Sequence, residues 1–469
     1  MSSPTATRDR VESESDSSER VADTDTPNSL DFFQLLSAIV EEFERRRRQW
    51  QPRWTACKLK KAFLLRHHPI WVTYPPNQLP RHIQPLTQLR KIAQGGFGAV
   101  YAHPDQNTIL KRELNPSIDS DAVQREHHMH HGVFEAMMKW NNISSFFVNV
   151  QVPRDGAFIS APSSDWDDGL QLLFPDKKMQ CRADMIQAER IPAVPAGVLE
   201  DIIRIYCHDP ETWPSIAAST EAKDCLVRIY LGGESIHSRA FNIGNFSLHI
   251  DQLEALDVNT LKIAGHFGRA LAVIHSQADL DGRGIEFVLG GARDEPDGSQ
   301  IWVLDFDQCR PLHAPRGAGD ASRQPMVDST GSVRAPSASE IQRTDSCIDA
   351  FFENDPYFPR PGSKRPALWN TFARNYDYMT REIAIRSWAS AENRVCYNFV
   401  RYKPSTAAEF ELLTMLPKPE DDQIRTYRPV TRAASLFLLG VEERYWNGTK
   451  SCKKAVESRL GPECLVHDT

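Results

Sequence analysis

Residues 93–101 of the chain read AQGGFGAVY, and the next apolar stretch, TILKRE, carries Lys111. Far downstream, residues 302–309 read WVLDFDQC and place Asp305 and Asp307 after a hydrophobic run. A glycine-rich turn between two β-like segments, a lysine one strand later and an acidic pair after another strand can together hold a nucleoside triphosphate and its magnesium ion. The two stretches therefore predict a nucleotide site.

The order of the segments around these stretches predicts the fold class. Between residues 87 and 191, β-rich runs flank the glycine turn and the lysine, and one helical stretch follows at 121–140. After residue 191 the pattern is mostly helical, and residues 257–277 repeat apolar side chains at helical spacing. This order predicts a two-lobed α+β fold of the protein-kinase type, with a β-rich small lobe and a mainly helical large lobe.

Composition divides the chain further. Residues 1–28 are rich in Ser, Asp, Glu and Thr, so they are predicted to form a disordered acidic tail. Residues 29–86 are predicted to form a helical extension, 87–191 the small lobe and 192–469 the large lobe. Within the large lobe, residues 313–340 contain mainly small residues and proline, which predicts a flexible insertion.

Overall composition narrows the classes of partner. The 469 residues are 41% hydrophobic and 25% charged, with a net charge of -7, which indicates a globular protein and does not favour nucleic acid as a partner. No secretory signal or membrane-spanning run is apparent, so we expect the protein in the cytoplasm or nucleus and not in a membrane. The arginine run at residues 45–48 fits either a nuclear-import patch or, as we favour, a solvated helix terminus.

The glycine turn supplies backbone groups for phosphate. Glycine lets N–H groups approach phosphate oxygens without a Cβ in the way. Ala93 stands where the usual pattern has its first glycine, and an ordinary hairpin turn is the alternative interpretation. The residues predicted to contact the nucleotide here are Gly95, Gly96, Phe97, Gly98 and Val100.

Lys111 is the predicted cation for phosphate oxygens, and an ordinary surface lysine is the alternative. It needs a carboxylate from the following helix, for which Glu126 is the first candidate and Glu113 the second. Glu189, in the β-like run ADMIQAERI, is also assigned to the nucleotide site.

Histidines and cysteines raise the question of a metal-binding module. His127 and His131 lie one helical turn apart, but no further ligands stand nearby in the sequence, so a solvated helix face is favoured. The nine cysteines include no C-x-x-C pair, which predicts reduced thiols and gives no zinc-ligand spacing.

The segment ADLDGRGIEFVLGG predicts a catalytic loop followed by a strand. Glu286 occupies the place of a metal-binding asparagine, and Asp281 lies five positions earlier, where the base that accepts the proton of the attacking hydroxyl is expected. Arg283 is predicted to neutralise charge on the transferred phosphoryl group. Asp279 competes with Asp281 for the role of base.

Asp305 is the predicted main ligand of magnesium, and Asp307 replaces the glycine of the usual D-F-G. Together with Glu286, these carboxylates predict a strongly negative site for a hard divalent ion, Mg²⁺ or Mn²⁺. The alternative interpretation is an acidic hairpin whose carboxylates face solvent.

The segments AVIHSQADLDGRGIEFVLGG, IWVLDFDQC, DPYFPRP and LWNTFARNY together resemble an uncharacterised fungal family of kinase-like proteins, sometimes labelled zinc-finger-like. The resemblance extends over residues 88–388, and the IEFVLG and LDFDQC segments are its most specific parts. It implies a kinase-like fold and a fungal origin, but no substrate. The presence of an acidic residue, Asp307, after the metal aspartate also resembles the pattern of small-molecule kinases of the aminoglycoside and choline type.

Three functions follow as hypotheses. The first is an ATP- and magnesium-dependent phosphotransferase that acts on a hydroxyl of a protein or a small molecule. The second is a pseudokinase that serves as a nucleotide-binding or interaction scaffold, as Ala93, Glu286 and the absence of an H-R-D arginine suggest. The third is a zinc- or nucleic-acid-binding regulator, which rests on the histidines and the arginine run alone.

Overall fold

The computed structural model describes residues 58–64, 88–312, 338–392 and 434–445, with internal gaps at 97, 105, 115–120, 144–147, 167–168, 236–240, 294, 363 and 435. All of the described residues belong to one compact unit, Ala56–Thr469. The predicted acidic tail, the helix expected after residue 28, its arginine run and the insertion up to residue 337 lie outside the described residues.

The elements follow one another in a simple order. The strands are β1 Arg90–Gln94, β2 Gly98–Ala102, β3 Thr108–Glu113, β4 Val150–Gln151, β5 Asp155–Ile159, β6 Met185–Glu189, β7 Val227–Tyr230, β8 Ser247–His249, β9 Glu286–Gly291 and β10 Ser299–Leu304. The α-helices are α1 Lys58–Ala62, α2 Ala122–Ile143, α3 Ala196–Tyr206, α4 Trp213–Ala217, α5 Ile250–Ala255, α6 Thr260–Ser276, α7 Ala338–Glu353 and α8 Pro366–Glu392. A further helical segment occupies 436–445.

The first sheet forms the amino-terminal region. Its strands follow the order β1-β2-β3-β6-β5, and every neighbouring pair is antiparallel. One face of this sheet buries its own apolar cluster, in which Tyr101 packs edge-on against Phe174. The long helix α2 packs against β5 and β6. These contacts fix the helix beside the strand that carries Lys111.

A second sheet has the order β4-β10-β9-β7-β8 and combines β4, from residues 150–151, with four strands of the carboxyl-terminal region. Its centre is the hairpin β9–β10, where Leu304 pairs with Glu286. The sequence pattern predicts this hairpin but misses β4, β7 and β8, because strands of two to four residues are too short to show an alternating pattern. The hairpin brings the end of the predicted catalytic loop beside the start of the acidic pair.

Helices α6 and α8 form the main helical contact of the carboxyl-terminal region. They approach so closely at Gly268 that a Cβ there would lie 2.4 Å from the backbone oxygen of Phe372. Phe351 of α7 stacks on Phe358 and completes the core beneath them. Glycine is required at position 268 because any larger residue would push the two helices apart.

The described chain therefore has the predicted α+β class, with a sheet-rich amino-terminal region and a mainly helical carboxyl-terminal region. Among the helices described, none combines the length and apolarity needed to cross a bilayer.

Candidate functional site

Four charged side chains from three separate parts of the chain lie close together, and we call them the lysine cluster: Lys111, Glu126, Asp305 and Asp307. The Lys111 ammonium nitrogen lies 2.6 Å from Glu126 Oε1 and 2.9 Å from Asp305 Oδ1. Its distance to Asp307 Oδ2 is 3.7 Å. The structure thus brings Lys111 and Asp305 together across 194 positions of the chain.

Lys111 belongs to the central strand β3, between β2 and β6. The strand alternates fully buried with partly buried residues, and Lys111 lies on the partly buried side. Burial by itself lowers the pKa of Lys111, but the three carboxylates outweigh this effect and raise the pKa above its ordinary value. The ammonium group is therefore a permanent cation.

Glu126 reaches Lys111 from the second turn of α2. Of the two candidates from the sequence, Glu126 and Glu113, it is Glu126 that contacts the lysine. Burial raises the pKa of Glu126 to about 7, although the Lys111 ammonium acts in the opposite direction. Glu126 consequently gains or loses a proton near neutral pH.

Asp305 directly follows β10 and adopts a left-handed backbone conformation, with φ of 67°. This region is rare for residues other than glycine and costs on the order of 1 kcal/mol, so surrounding contacts must hold it. Such strain often accompanies a residue that a functional site has to aim. Here it turns the Asp305 carboxylate toward Lys111.

Asp307 contributes a buried oxygen atom whose capacity to accept a hydrogen bond is not met by the protein. Its Oδ1 atom is buried and has no hydrogen-bond partner, while Oδ2 faces Lys111. Burial raises the pKa of Asp307, against the lowering effect of Lys111. An unpaired buried carboxylate oxygen is costly unless a cation or donor meets it. With Asp305 beside it, the donor set consists of hard oxygens and fits Mg²⁺ or Mn²⁺.

Glu286, the third predicted metal ligand, opens β9 and is paired with a cation from the neighbouring strand β7. Arg228 Nη2 lies 2.9 Å from Glu286 Oε2, and Arg228 Nε donates to the same oxygen at 3.1 Å. Burial raises the pKa of Glu286, while Arg228 opposes that rise. Glu286 thus begins β9 and pairs with Leu304, the residue before Asp305. The Arg228 guanidinium neutralises its charge.

Asp281 is enclosed by its own chain. Its side chain is 0% exposed. Oδ1 accepts the backbone N–H groups of Arg283 and Arg310 at 3.1 and 2.9 Å, and Oδ2 accepts the hydroxyl of Ser346 at 3.1 Å. In this conformation the carboxylate anchors the loop, and no face of it is open to a substrate. Asp279, the competing candidate, is partly exposed and has a left-handed φ of 62°.

Arg283 lies beside Asp281, 3.5 Å from Nε to Oδ2, and forms an ion pair with Glu353 at the end of α7. The residue directly after α7 also holds the loop that carries Arg283, because Asn354 donates to the carbonyl of Gly282 and accepts from the N–H of Gly284, both at 2.7 Å. The position of Arg283 is therefore fixed by contacts on either side of it.

The glycine turn closes as a hairpin between β1 and β2, with the N–H of Gly95 bonded to the carbonyl of Gly98 at 2.9 Å. Space is open above Gly95 and Gly96, whereas a Cβ at Gly98 would lie 2.9 Å from the carbonyl oxygen of Arg112. Val100 pairs with Lys111 across the two strands. Phe97 lies outside the described residues. The turn has the hairpin geometry of the alternative interpretation, and its contact with phosphate stays a prediction.

Glu189 ends β6, and the protein occupies both of its carboxylate oxygens. Oε1 accepts from Arg293 Nε and Oε2 from Arg293 Nη2, each at 2.7 Å, while the N–H of Arg154 donates to Oε2 at 2.9 Å. Arg293 also stacks over Trp302. These contacts tie the first sheet to the second, and the assignment of Glu189 to the nucleotide stays a prediction.

The histidines of α2 attach the helix to the β4–β5 region. His127 contacts the carbonyl of Gly156 at 3.1 Å, and His130 contacts that of Pro153 at 2.8 Å. His131 Nδ1 lies 2.6 Å from Asp155 Oδ2. Within the described ranges, no group of three or more His, Cys, Asp or Glu side chains is arranged to hold a metal by itself.

Comparison with known proteins gives limited matches. A family model of a domain of unknown function, DUF3669, described as "Zinc finger protein", matches residues 301–387. The match includes Asp305, Asp307 and α7, and it agrees with the zinc-finger label of the resemblance named above. No curated protein matches the chain.

One solved structure found by similarity is that of a microcompartment-associated aminopropanol kinase. It is 11% identical, with a TM-score of 0.19, and the match covers 78% of this chain and 94% of that one. At this TM-score the similarity carries no weight for the fold, which rests on the sheet order and on the contacts of Lys111.

The label of the matched family finds no counterpart in the thiols of the matched segment. Its cysteines, Cys309 and Cys347, are both buried. Burial raises the pKa of each thiol well above the ordinary value, and Cys309 donates to the carbonyl of Arg283. Two buried thiols, one of them hydrogen-bonded to a backbone carbonyl, do not by themselves make up the four-ligand set of a structural zinc site.

Sequence reasoning missed three residues that shape the site: Arg228, Ser346 and Asn354. Each contacts a residue at least 58 positions away, and none stands in a recognisable motif. No local signal in the sequence identifies them.

Proposed function

We propose that the protein is an ATP- and Mg²⁺-dependent phosphotransferase that acts on a hydroxyl group. The observation that carries the proposal is the meeting of Lys111, Glu126 and Asp305, with nitrogen–oxygen distances of 2.6 and 2.9 Å. A lysine held by a helix carboxylate beside an aspartate at the end of a strand is the arrangement that binds the phosphates and metal of ATP in kinases.

Each residue has a role in this proposal. Lys111 binds phosphate oxygens, and Glu126 holds its ammonium group in place. Asp305 and Asp307 are the carboxylates that would hold the metal, and Mg²⁺ would supply neutralisation of charge on the phosphates. Arg283 lies in the loop before β9, where a cation stabilises the transferred group.

Two carboxylates remain candidates for the base. Asp281 accepts three hydrogen bonds from the protein, so it accepts a proton from a substrate only after α7 and its Ser346 move away. Asp279 is already partly exposed. The variants Asp279→Asn and Asp281→Asn distinguish the two candidates. Substitution of the base lowers turnover and leaves the affinity for nucleotide unchanged, whereas substitution of a residue that anchors the loop also lowers the stability of the protein.

A nucleotide-binding pseudokinase is the second candidate. Its support is the enclosed Asp281, the internal hydrogen bond of the Gly95 N–H and the Glu286–Arg228 pair. The phosphotransferase is preferred because the lysine cluster is assembled and Asp307 keeps an unpaired oxygen. A zinc- or nucleic-acid-binding regulator has only the family label in its support.

The test combines binding with turnover. Thermal shift with ATP and Mg²⁺ or Mn²⁺ measures binding, and transfer of radiolabelled phosphate to small hydroxylated compounds and to Ser/Thr peptides measures activity. We expect Asp305→Asn to abolish both responses and Asp297→Asn, an exposed aspartate in the β9–β10 turn, to leave both unchanged. Binding without ATP hydrolysis or transfer would favour the pseudokinase, and no binding would reject both proposals.

A further inference from the structure

The pair formed by Arg228 and Glu286 alters the metal chemistry of the site. The guanidinium uses two nitrogens: Nε donates to Oε2 at 3.1 Å, and Nη2 donates to Oε1 at 3.3 Å and lies 2.9 Å from Oε2. Both side chains are about three-quarters buried. Two-point contacts of this kind between arginine and a carboxylate are strong and fix the geometry.

The position of Glu286 gives the pair its meaning. In the kinase arrangement, the residue at this point of the chain holds the second of two metal ions. Here Arg228 engages both oxygens of that residue, and it arrives from β7, which pairs directly with β9. A divalent ion bound by Glu286 would stand next to a guanidinium, and two cations in contact repel each other.

The charges of the site match a single divalent ion. In their ionised forms, Lys111 balances Glu126, and Arg228 balances Glu286. The two carboxylates left over, Asp305 and Asp307, carry two negative charges. Asp307 also contributes the buried oxygen without a hydrogen-bond partner.

We propose that Arg228 is a fixed cation that takes the place of a second metal ion, so that the protein binds a nucleoside triphosphate with one divalent cation. The inference rests on the proposed nucleotide site and adds its metal stoichiometry. Arg228 is a cation that is part of the chain and cannot dissociate. Asp305 and Asp307 hold the single metal ion, which binds reversibly.

The test counts bound metal directly. Mn²⁺ is titrated into protein in excess over a non-hydrolysable ATP analogue, and electron paramagnetic resonance reports the free ion. We expect one bound Mn²⁺ per nucleotide in the wild type and in Arg204→Gln, an exposed arginine on α3 that serves as control. Arg228→Gln frees Glu286 and is expected to bind a second Mn²⁺. Arg228→Lys keeps the charge and is expected to bind one.

The outcomes are distinguishable. Two Mn²⁺ ions per nucleotide in the wild type would overturn the inference and leave the proposed function standing. An Arg228→Gln variant that is folded and still binds one ion would also overturn it. Absence of nucleotide binding in the wild type would reject the proposed function and this inference together. If Arg228→Gln does not fold, the wild-type count alone decides.

Discussion

Removal of the Lys111 charge tests the lysine cluster most directly. Lys111→Met replaces the aliphatic part of the side chain with one of the same length and deletes the ammonium group, which leaves Glu126, Asp305 and Asp307 facing one another without a cation. The side chains of Glu126 and Asp307 are only 11% and 14% exposed, while that of Asp305 is 33% exposed. Solvent therefore relieves part of the repulsion at Asp305 and little at the other two.

The size of the effect follows from this burial. Removal of one partner from a buried ion pair costs about 3–5 kcal/mol, and the partial exposure of Asp305 favours the lower end. We expect Lys111→Met to lose about 3 kcal/mol of unfolding free energy at pH 7.5. Burial already raises the pKa of Glu126 to about 7, so loss of Lys111 raises it further and the native state takes up a proton as the pH falls. The wild-type Glu126, with a pKa of about 7, takes up most of the same proton between pH 7.5 and 5.5, so the deficit of Lys111→Met against the wild type narrows over this range by about 1 kcal/mol.

Urea denaturation of the variant and the wild type at the two pH values measures both effects. Lys177→Met, at an exposed lysine, serves as the control and is expected to stay within about 0.5 kcal/mol of the wild type. A deficit in Lys111→Met below about 1 kcal/mol, or one that does not change with pH, would refute the cluster as a coupled set of buried charges.

Two further predictions concern the core. Burial lowers the pKa values of His130 and His275 to about 4, so both histidines are neutral in the folded protein and gain protons when it unfolds below pH 6.5. The free energy of unfolding therefore decreases as the pH falls. In urea denaturation, His275→Gln should reduce this decrease between pH 7 and 4.5 by about 2–3 kcal/mol. An unchanged pH dependence would contradict this. Gly268→Val places side-chain atoms against Phe372 and should lower stability by about 1–3 kcal/mol or more, whereas Gly132→Ala, in open space on α2, should raise it by roughly 0.5–1 kcal/mol; equal melting temperatures would contradict this close helix contact.

Local patterns were enough to predict the strand that carries Lys111 and the helix that carries Glu126. The two residues lie 15 positions apart, and a helix that follows a strand packs back on the same sheet, so their contact follows from neighbouring elements. The hairpin β9–β10 was also predictable, since two apolar runs flank one polar turn. The acidic residues after β10 were recognisable because they break a hydrophobic run.

The burial and the ion-pair partners of the predicted site residues could not be predicted from these patterns. Asp281 is enclosed because Ser346, 65 positions later, reaches it from α7. Glu286 is neutralised because Arg228 comes from a strand of four residues with no distinctive pattern. Such contacts depend on which surfaces pack together, and many sequences without a common motif can form them.

The amino-acid sequence by itself determined the α+β class and the types of residue available for phosphate and metal, because strand and helix periodicity and turn chemistry are local properties. Only the tertiary structure decided that Lys111 meets Asp305 across 194 positions, that Asp281 is buried and that Arg228 neutralises Glu286. The physical reason is that burial and distance set the charge of an ionisable group, and both arise from packing between distant segments.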